Sequence, residues 1–408
     1  MLKRSEGRFD TVSTLKEITE NVRAVINSRE EKLTDEEVLE LIEEFVLHDG
    51  RTAVCPYQVK EEVVRGVFNA TRKELELLQP YADDENVSEI MVNGLDGIFI
   101  ERHGRVERLD QRFETREELE EIIRRLAGRV HKEINELNPI VDARMEDGSR
   151  IHAVYKNVAL NGPILSIRRF PKKRITMEEL LALNTISREA AYFLERLVCA
   201  GYNIFISGGT SSGKTTFLNV LSNYIPKDER VIVIEDSAEL QIMGVENLVR
   251  MESRNPNIQG KGEVSIRQLI KASLRMRPDR IIVGEVRGVE VMDMVQAMNT
   301  GHDGSLSTGH GNSPEGMLSR LEAMYLMAAD FPIEAIRNQI AEAIDIIVHL
   351  GRMTDKSRKV LEIVEVVGCK ENKIQLNPIF IFKANEGLIE TGNTLLNQTK
   401  LEMKGIML

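Results

Sequence analysis

Gly208-Gly209-Thr210-Ser211-Ser212-Gly213-Lys214-Thr215 follows the spacing G-x-x-x-x-G-K-[ST]. Glycines at the fixed positions let the backbone bend tightly, so that consecutive peptide N–H groups turn inward and can hold phosphate oxygens. Lys214 adds a point charge long enough to reach β- and γ-phosphates, and the Thr215 hydroxyl is a ligand for Mg²⁺. The plain alternative is a glycine-rich turn. The flanks weigh against it: Asn203 to Ser207 is an apolar run of strand character, and Thr216-Phe217-Leu218-Asn219-Val220-Leu221 reads as a helix. The N-terminus of that helix brings a partial positive charge to the same place. Residues 208–216 are therefore expected to bind the phosphates of ATP together with Mg²⁺.

Two further apolar runs end in carboxylates. Val231-Ile232-Val233-Ile234 leads into Glu235-Asp236, and Ile281-Ile282-Val283-Gly284 into Glu285. Ligands of parallel α/β sheets bind at the carboxyl ends of strands, which would bring both acids toward the phosphates. One can hold Mg²⁺, directly or through water, and the other can polarise the attacking water. Taken singly, each reads equally well as a solvated acid at a strand end. The third cluster runs from Thr300 to Ser313 and holds His302 and His310, two of the seven histidines, among glycines. Histidine can donate to a phosphate or report its loss. A zinc site would need further Cys or His ligands at suitable spacing. An ordinary polar loop is the other alternative.

Several elements must position these groups. Beyond residue 186, apolar runs at Asn203 to Ser207, Val231 to Ile234, Ile281 to Val283 and Ser305 to Thr308 alternate with helical segments. Continuous apolar strands alternating with helices predict a mostly parallel sheet covered on both faces. The tail, Val360 to Val367 and Ile374 to Phe382, reads as a hairpin or edge pair. The segment 1–80 reads as helical, with its clearest start at Thr34-Asp35-Glu36-Glu37, a capping box with Leu33 and Val38 as staple. From 81 to 170, short β runs separated by Asn93-Gly94 and Asp96-Gly97, with a helix near Arg116 to Leu126, predict a small α+β domain. Phe170-Pro171-Lys172-Lys173-Arg174 opens an expected linker over 171–186, and 187–408 forms the phosphate-binding domain.

The chain of 408 residues is long enough for two or three domains, and at 42% hydrophobic and 29% charged it has ordinary globular composition. A net charge of −11, seven Tyr and no Trp weigh against tight binding of nucleic acid. The three cysteines, Cys55, Cys199 and Cys369, have neither redox nor metal spacing and suit a reducing compartment. No apolar run follows Met1 to Arg8, so a signal peptide is not expected, nor is a membrane span. The expected location is cytoplasmic, with any role at the inner face of the membrane working through partners.

These motifs, in this order, resemble the type II/type IV secretion ATPase superfamily, and within it the CpaF/TadA group that drives Tad (Flp) pilus assembly. Ser88-Glu89-Ile90-Met91-Val92-Asn93-Gly94 is similar to the start of the family's N-terminal domain. Val141 to Arg144 and Asp147 to Ala153 are similar to its arginine-bearing stretch. Gly208 to Thr216 resembles its Walker A motif, Ile234 to Leu240 its Asp box, Arg277 to Gly288 its atypical Walker B, and Thr300 to Asn312 its His box. The resemblance implies a homohexameric ring, a PAS-like N-terminal domain joined to a RecA-like ATPase domain, and inner-membrane platform proteins as partners. It implies that Glu285 activates water, that Glu235 helps with Mg²⁺, that His302 and His310 lie near the phosphates, and that Arg150 and Arg168 reach the nucleotide. Ser211 stands where many relatives have glycine, at a position that is not one of the motif's fixed ones, and Gly311 stands where they often have alanine. The tetracysteine module of the type II subgroup is absent. Two other function classes stay open: a RecA-fold motor that translocates nucleic acid, and a nucleotide-binding scaffold without turnover, against which intact Lys214 and Glu285 weigh.

Overall fold

The computed structural model describes residues 11–29, 33–73, 75–145, 147–170, 175–254, 256 and 261–408. The N-terminal segment Met1 to Arg8 and the basic run Pro171 to Arg174 lie outside them. The chain divides into two compact units, Met1–Lys173 and Arg174–Leu408.

The first unit opens with three helices, α1 (Thr11–Ser28), α2 (Asp35–His48) and α3 (Tyr57–Arg72). The Thr34 side chain accepts from the Glu37 N–H at 3.3 Å, and the Glu37 carboxylate takes the Thr34 N–H at 2.7 Å. This closes the reciprocal box expected at the start of α2. Val38, Ile42 and Val46, spaced four apart, face Ile18 and Val22 of α1 and Val63 and Val67 of α3 in one apolar cluster. A 3₁₀ turn (Glu76–Leu78) and α4 (Gln79–Asp83) lead into a six-stranded sheet. Its strands are β1 (Val87–Asn93), β2 (Ile98–Arg102), β3 (Arg105–Arg108), β4 (Ile140–Arg144), β5 (Arg150–Val154) and β6 (Ile164–Arg168). They lie in the order β3-β2-β1-β6-β5-β4, and every neighbouring pair is antiparallel. Helix α5 (Arg116–Arg129) lays Leu119, Ile122, Ile123 and Leu126 on one face, against Ile90, Val92, Ile151, Leu165 and Ile167.

The second unit starts earlier than its sequence predicts. Met177–Ala182, inside the expected linker 171–186, is a helix (α6) with its own capping box from Thr176 and Glu179. Met177 and Leu180 are buried in the core of this unit, one turn apart, so the second half of the expected linker is part of the domain. The remaining helices are α7 (Arg188–Ala200), α8 (Lys214–Ser222), α9 (Ile266–Ser273), α10 (Glu290–Met298), α11 (Pro314–Ala328), α12 (Ile333–Ala343) and α13 (Thr399–Lys404). The strands are β7 (Ile204–Gly208), β8 (Val231–Glu235), β9 (Leu248–Glu252), β10 (Arg280–Val283), β11 (Leu306–His310), β12 (Ile346–Arg352), β13 (Arg358–Lys370), β14 (Lys373–Lys383) and β15 (Gly387–Glu390).

These strands form one sheet in the order β15-β14-β13-β12-β7-β11-β10-β8-β9. From β12 to β9 the pairs are parallel, and β12 to β15 are joined antiparallel. The parallel strands are apolar throughout because both faces are covered. Ile204 and Ile206 of β7 point into one core with α7 and α8, while Phe205 points into the other with α10, α11 and α12. All central parallel strands thus deliver their carboxyl ends, and the loops that follow, to a single edge of the sheet.

Candidate active site

At that edge, β7 ends in Gly208 and the loop 209–213 turns into α8, whose first turn carries Lys214, Thr215 and Thr216. Two backbone constraints explain the residue types. A Cβ on Gly208 would lie 2.5 Å from the Leu350 carbonyl oxygen and 2.6 Å from Ser212 Oγ, so no larger residue fits between β12 and the loop. Gly213, at φ +93°, holds the left-handed conformation from which α8 starts. Lys214 is buried and folds back over the loop, donating to the carbonyls of Gly208 at 3.2 Å and Gly209 at 2.9 Å. Burial holds its ammonium pKa below the usual lysine value, against the nearby Glu285 carboxylate, which raises it.

From Lys214 a chain of contacts crosses the neighbouring strands. Lys214 Nζ lies 3.3 Å from His310 Nδ1, at the end of the adjacent strand β11. His310 Nε2 lies 2.9 Å from Glu285 Oε1, just beyond β10. Glu285 Oε2 accepts from Arg287 Nη2 at 2.6 Å, and Arg287 Nη1 reaches Asp236 at 3.1 Å, just beyond β8. Burial and Lys214 hold the His310 pKa below the usual histidine value, against the pull of Glu285. A neutral ring that accepts at Nδ1 from an ammonium carries its proton on Nε2, facing Glu285. With a neutral ring that contact is between a charge and a dipole rather than an aligned hydrogen bond: Glu285 Oε1 is buried and has no hydrogen-bond partner. Ser212 Oγ, in the loop itself, is likewise buried without a partner.

The structure thus brings Lys214, His310 and Glu285 together and adds Arg287 and Asp236. Of the other residues that the resemblance places with them, it carries His302 away and leaves Glu235 beside them, with Glu235 Cγ 3.1 Å from the point a Cβ on Gly284 would occupy. His302 precedes β11, whereas His310 ends it; Leu306 pairs with Ile204 at the start of β7 and His310 with Gly208 at its end. His302 therefore lies at the amino edge of the sheet, where its Nδ1 contacts the Ala297 carbonyl at the end of α10, at 3.0 Å. The parallel run of β11 carries the two histidines to opposite edges. Glu235 is at the correct edge but is 98% buried with its carboxylate committed: Oε1 accepts from the N–H groups of Glu239 at 2.7 Å and Leu240 at 2.8 Å. Burial raises its pKa. Strand β8 lies three strands from β7, roughly 14 Å. These bonds take Glu235 Oε1 out of direct metal coordination and give the carboxylate a role in shaping its own loop.

Arg150 and Arg168 belong to the first unit, where they are directly opposite each other on β5 and β6. The row continues with Arg144 on one side and Glu89, then Glu101, on the other. It lies on the face opposite the buried Ile151 and Ile167. Glu89, directly opposite Arg168, places a carboxylate at the end of the three arginines. Arg320, which the sequence reading missed, faces the phosphate loop: with Gly209, Thr210, His310, Asn312 and Gly316 it lines a cavity of ≈ 520 Å³. Its signal was available, since the Asn312-Ser313-Pro314 start of α11 puts Gly316 and Arg320 one turn apart. A Cβ on Gly311 would lie 2.9 Å from the Met317 Cβ, so α11 packs against the strand end more closely than alanine there allows.

The open cradle, the helix start and the orphaned hydroxyl of Ser212 fit a nucleotide phosphate, and the half-buried Thr215 in the first helical turn fits a metal-ligating hydroxyl. A family model described as type II/IV secretion system protein matches residues 71–385. A putative conjugal transfer protein of Mycobacterium tuberculosis is 31% identical over 325 residues, 78% of this chain and 91% of its own. The conjugal transfer protein TrbB of Rhizobium radiobacter is 32% identical over 298 residues, 72% of this chain and 88% of its own. Among solved structures, the Legionella pneumophila ATPase DotB superposes with a TM-score of 0.51 at 20% identity, covering 72% of this chain and 79% of DotB, a likeness of fold.

Proposed function

The chain belongs to the type II/IV secretion system protein family, and from that premise we propose that it is an ATP-hydrolysing motor powering protein secretion or pilus assembly across the bacterial envelope. The observation that carries this reading is the unbroken chain Lys214–His310–Glu285–Arg287–Asp236 at the carboxyl edge of the parallel sheet, beside the phosphate loop. The loop amides and Lys214 hold the terminal phosphates, and the Thr215 hydroxyl is the protein's ligand for Mg²⁺. When bound, Mg²⁺ neutralises charge on the phosphate oxygens. Glu285 takes the proton of the attacking water, while Arg287 and His310 hold its carboxylate in place from two sides. Glu235 supports the loop through Oε1, which leaves Oε2 to act on the metal directly or through water.

Finer parts of the reading rest on the motifs. We place the chain in the CpaF/TadA-like group of Tad pilus ATPases, working as a homohexamer on inner-membrane platform proteins. Arg150 and Arg168 supply positive charge to the transferred phosphoryl group; the row they form with Arg144 supports that role. Among the described residues no helix is long and apolar enough to cross a membrane. The test is steady-state phosphate release with Mg-ATP. Stimulation by acidic lipid or by a co-expressed platform protein, and co-purification with that protein, support the secretion motor. Strong stimulation by DNA or RNA instead supports a nucleic-acid motor, and absence of turnover with intact binding supports a scaffold.

A further inference from the structure

Two residues of the phosphate loop have left-handed backbone, Gly213 at φ +93° and Ser211 at φ +59°. Glycine adopts that conformation freely, whereas a residue with a Cβ does so at a cost. Ser211 thus needs a restraint that glycine would not. Arg358, the first residue of β13, provides one. Its Nε donates to the Ser211 carbonyl at 3.1 Å, and its Cδ lies 3.3 Å from the point a Cβ on Gly213 would occupy. One side chain therefore bonds one left-handed position and occupies the space beside the other that a side chain there would need. Its base is secured independently: Arg358 pairs with Arg352 across β13 and β12, and β12 pairs with β7, the strand that ends in Gly208. The antiparallel hairpin thereby grips the loop from outside the parallel sheet.

We propose that Arg358 is a positioning residue for the phosphate loop, holding the Ser211 carbonyl so that the left-handed turn persists and the loop amides converge on one point. The proposal rests on the reading of 208–215 as a nucleotide site. Arg358 acts through the loop conformation, and its charge is not required on the phosphates. A Cβ-free residue at position 211 should need this restraint less, which separates the two modes of action.

The experiment compares wild type, Arg358→Ala, Arg358→Lys, Ser211→Gly and the Ser211→Gly/Arg358→Ala double variant in the full-length protein. Affinity for a fluorescent ADP analogue is measured for each, and backbone amide exchange over 209–213 is followed without nucleotide. Arg358→Ala should weaken ADP binding about tenfold, roughly the effect of one charge-assisted hydrogen bond. Arg358→Lys keeps the charge and a donor without the fixed Nε geometry and should recover part of the affinity lost in Arg358→Ala. In the Ser211→Gly background the loss caused by Arg358→Ala should shrink to about twofold or less. Arg358→Ala should speed exchange over 209–213 with an unchanged melting temperature. An equal loss in both backgrounds would overturn the proposal in favour of a direct charge effect. Unchanged exchange in Arg358→Ala would overturn it outright. Wild type that binds no ADP would remove the nucleotide reading, and the exchange data would still decide the claim about the loop.

Discussion

Replacing Glu285 with Gln isolates one chemical property of the site. Glu285 is held between Arg287 Nη2 at 2.6 Å and His310 Nε2 at 2.9 Å, with its side chain 16% exposed. Glutamine has the same volume and can still accept from Arg287, which retains its second contact to Asp236 at 3.1 Å. The geometry should therefore survive while the proton acceptor is lost. General-base catalysis typically contributes about 10² to 10⁴ in rate, or about 2.7 to 5.4 kcal/mol of barrier. Two electrostatic effects on binding oppose each other. Loss of a negative charge near the phosphates favours ATP, whereas Glu285 also raises the Lys214 pKa, so its removal weakens the ammonium's hold on its proton. Affinity should thus stay within a few-fold of wild type while turnover falls by about two to four orders of magnitude. Phosphate release under saturating Mg-ATP, with fluorescent-nucleotide titration and a melting curve on the same samples, measures all three quantities. Asp236→Asn is the matched control: it frees one end of Arg287 but leaves the carboxylate of Glu285, and should cost only several-fold. Turnover in Glu285→Gln within about twofold of wild type would remove Glu285 from catalysis and leave the contact chain as an ion-pair network.

Lys214→Ala should weaken ATP binding by about tenfold or more, because it removes both the charge on the terminal phosphates and the donors to the Gly208 and Gly209 carbonyls; equilibrium titration checks this. His310→Gln should cut turnover by about tenfold or more, whereas His302→Gln, at the opposite edge of the sheet, should stay within about twofold; equal losses in the two would contradict that placement. Arg150→Ala and Arg168→Ala should lower hydrolysis by roughly tenfold with affinity within a few-fold, and near-normal rates in both would remove these arginines from the proposed role. His349, buried and bonded to Ser207 Oγ at 2.7 Å, has its pKa depressed by burial, against Glu315 and a bond to the Asn312 backbone that raise it. Below a pH of about 6.5 the unfolded histidine binds a proton that the folded one resists. Stability should therefore fall as pH drops through that value toward the folded pKa, and a His349→Gln variant should show a shallower decline in melting temperature between about pH 7.5 and 5.

Local patterns in the sequence were sufficient for the phosphate loop, for the strands that end at Gly208, Glu235 and beside Glu285, and for the capping box of α2. Each depends on residues close in the chain: a glycine spacing, a run of β-branched residues, a side chain that reaches its own backbone. The same logic would have found α6, since Thr176 and Glu179 form a second capping box; the basic run before it drew the linker too far. The strands β3 and β4 lack an apolar alternation, since Arg105–Arg108 is exposed throughout and Ile140–Arg144 buries little. By contrast β12, a buried apolar run over Ile346–Arg352, was legible and is absent from the expected strands, as are β9 and β15. What no local pattern contains is the lateral order of strands. That order put β11 between β7 and β10, so that His310 bridges Lys214 and Glu285, while the eight residues back to His302 run the length of the strand to the other edge. It also set β8 three strands from the loop, leaving Glu235 to bond its own backbone, and brought Arg358 of a distant hairpin onto Ser211. Chemistry was legible where neighbours in sequence are neighbours in space; which groups act together was decided by pairings between strands tens to hundreds of residues apart.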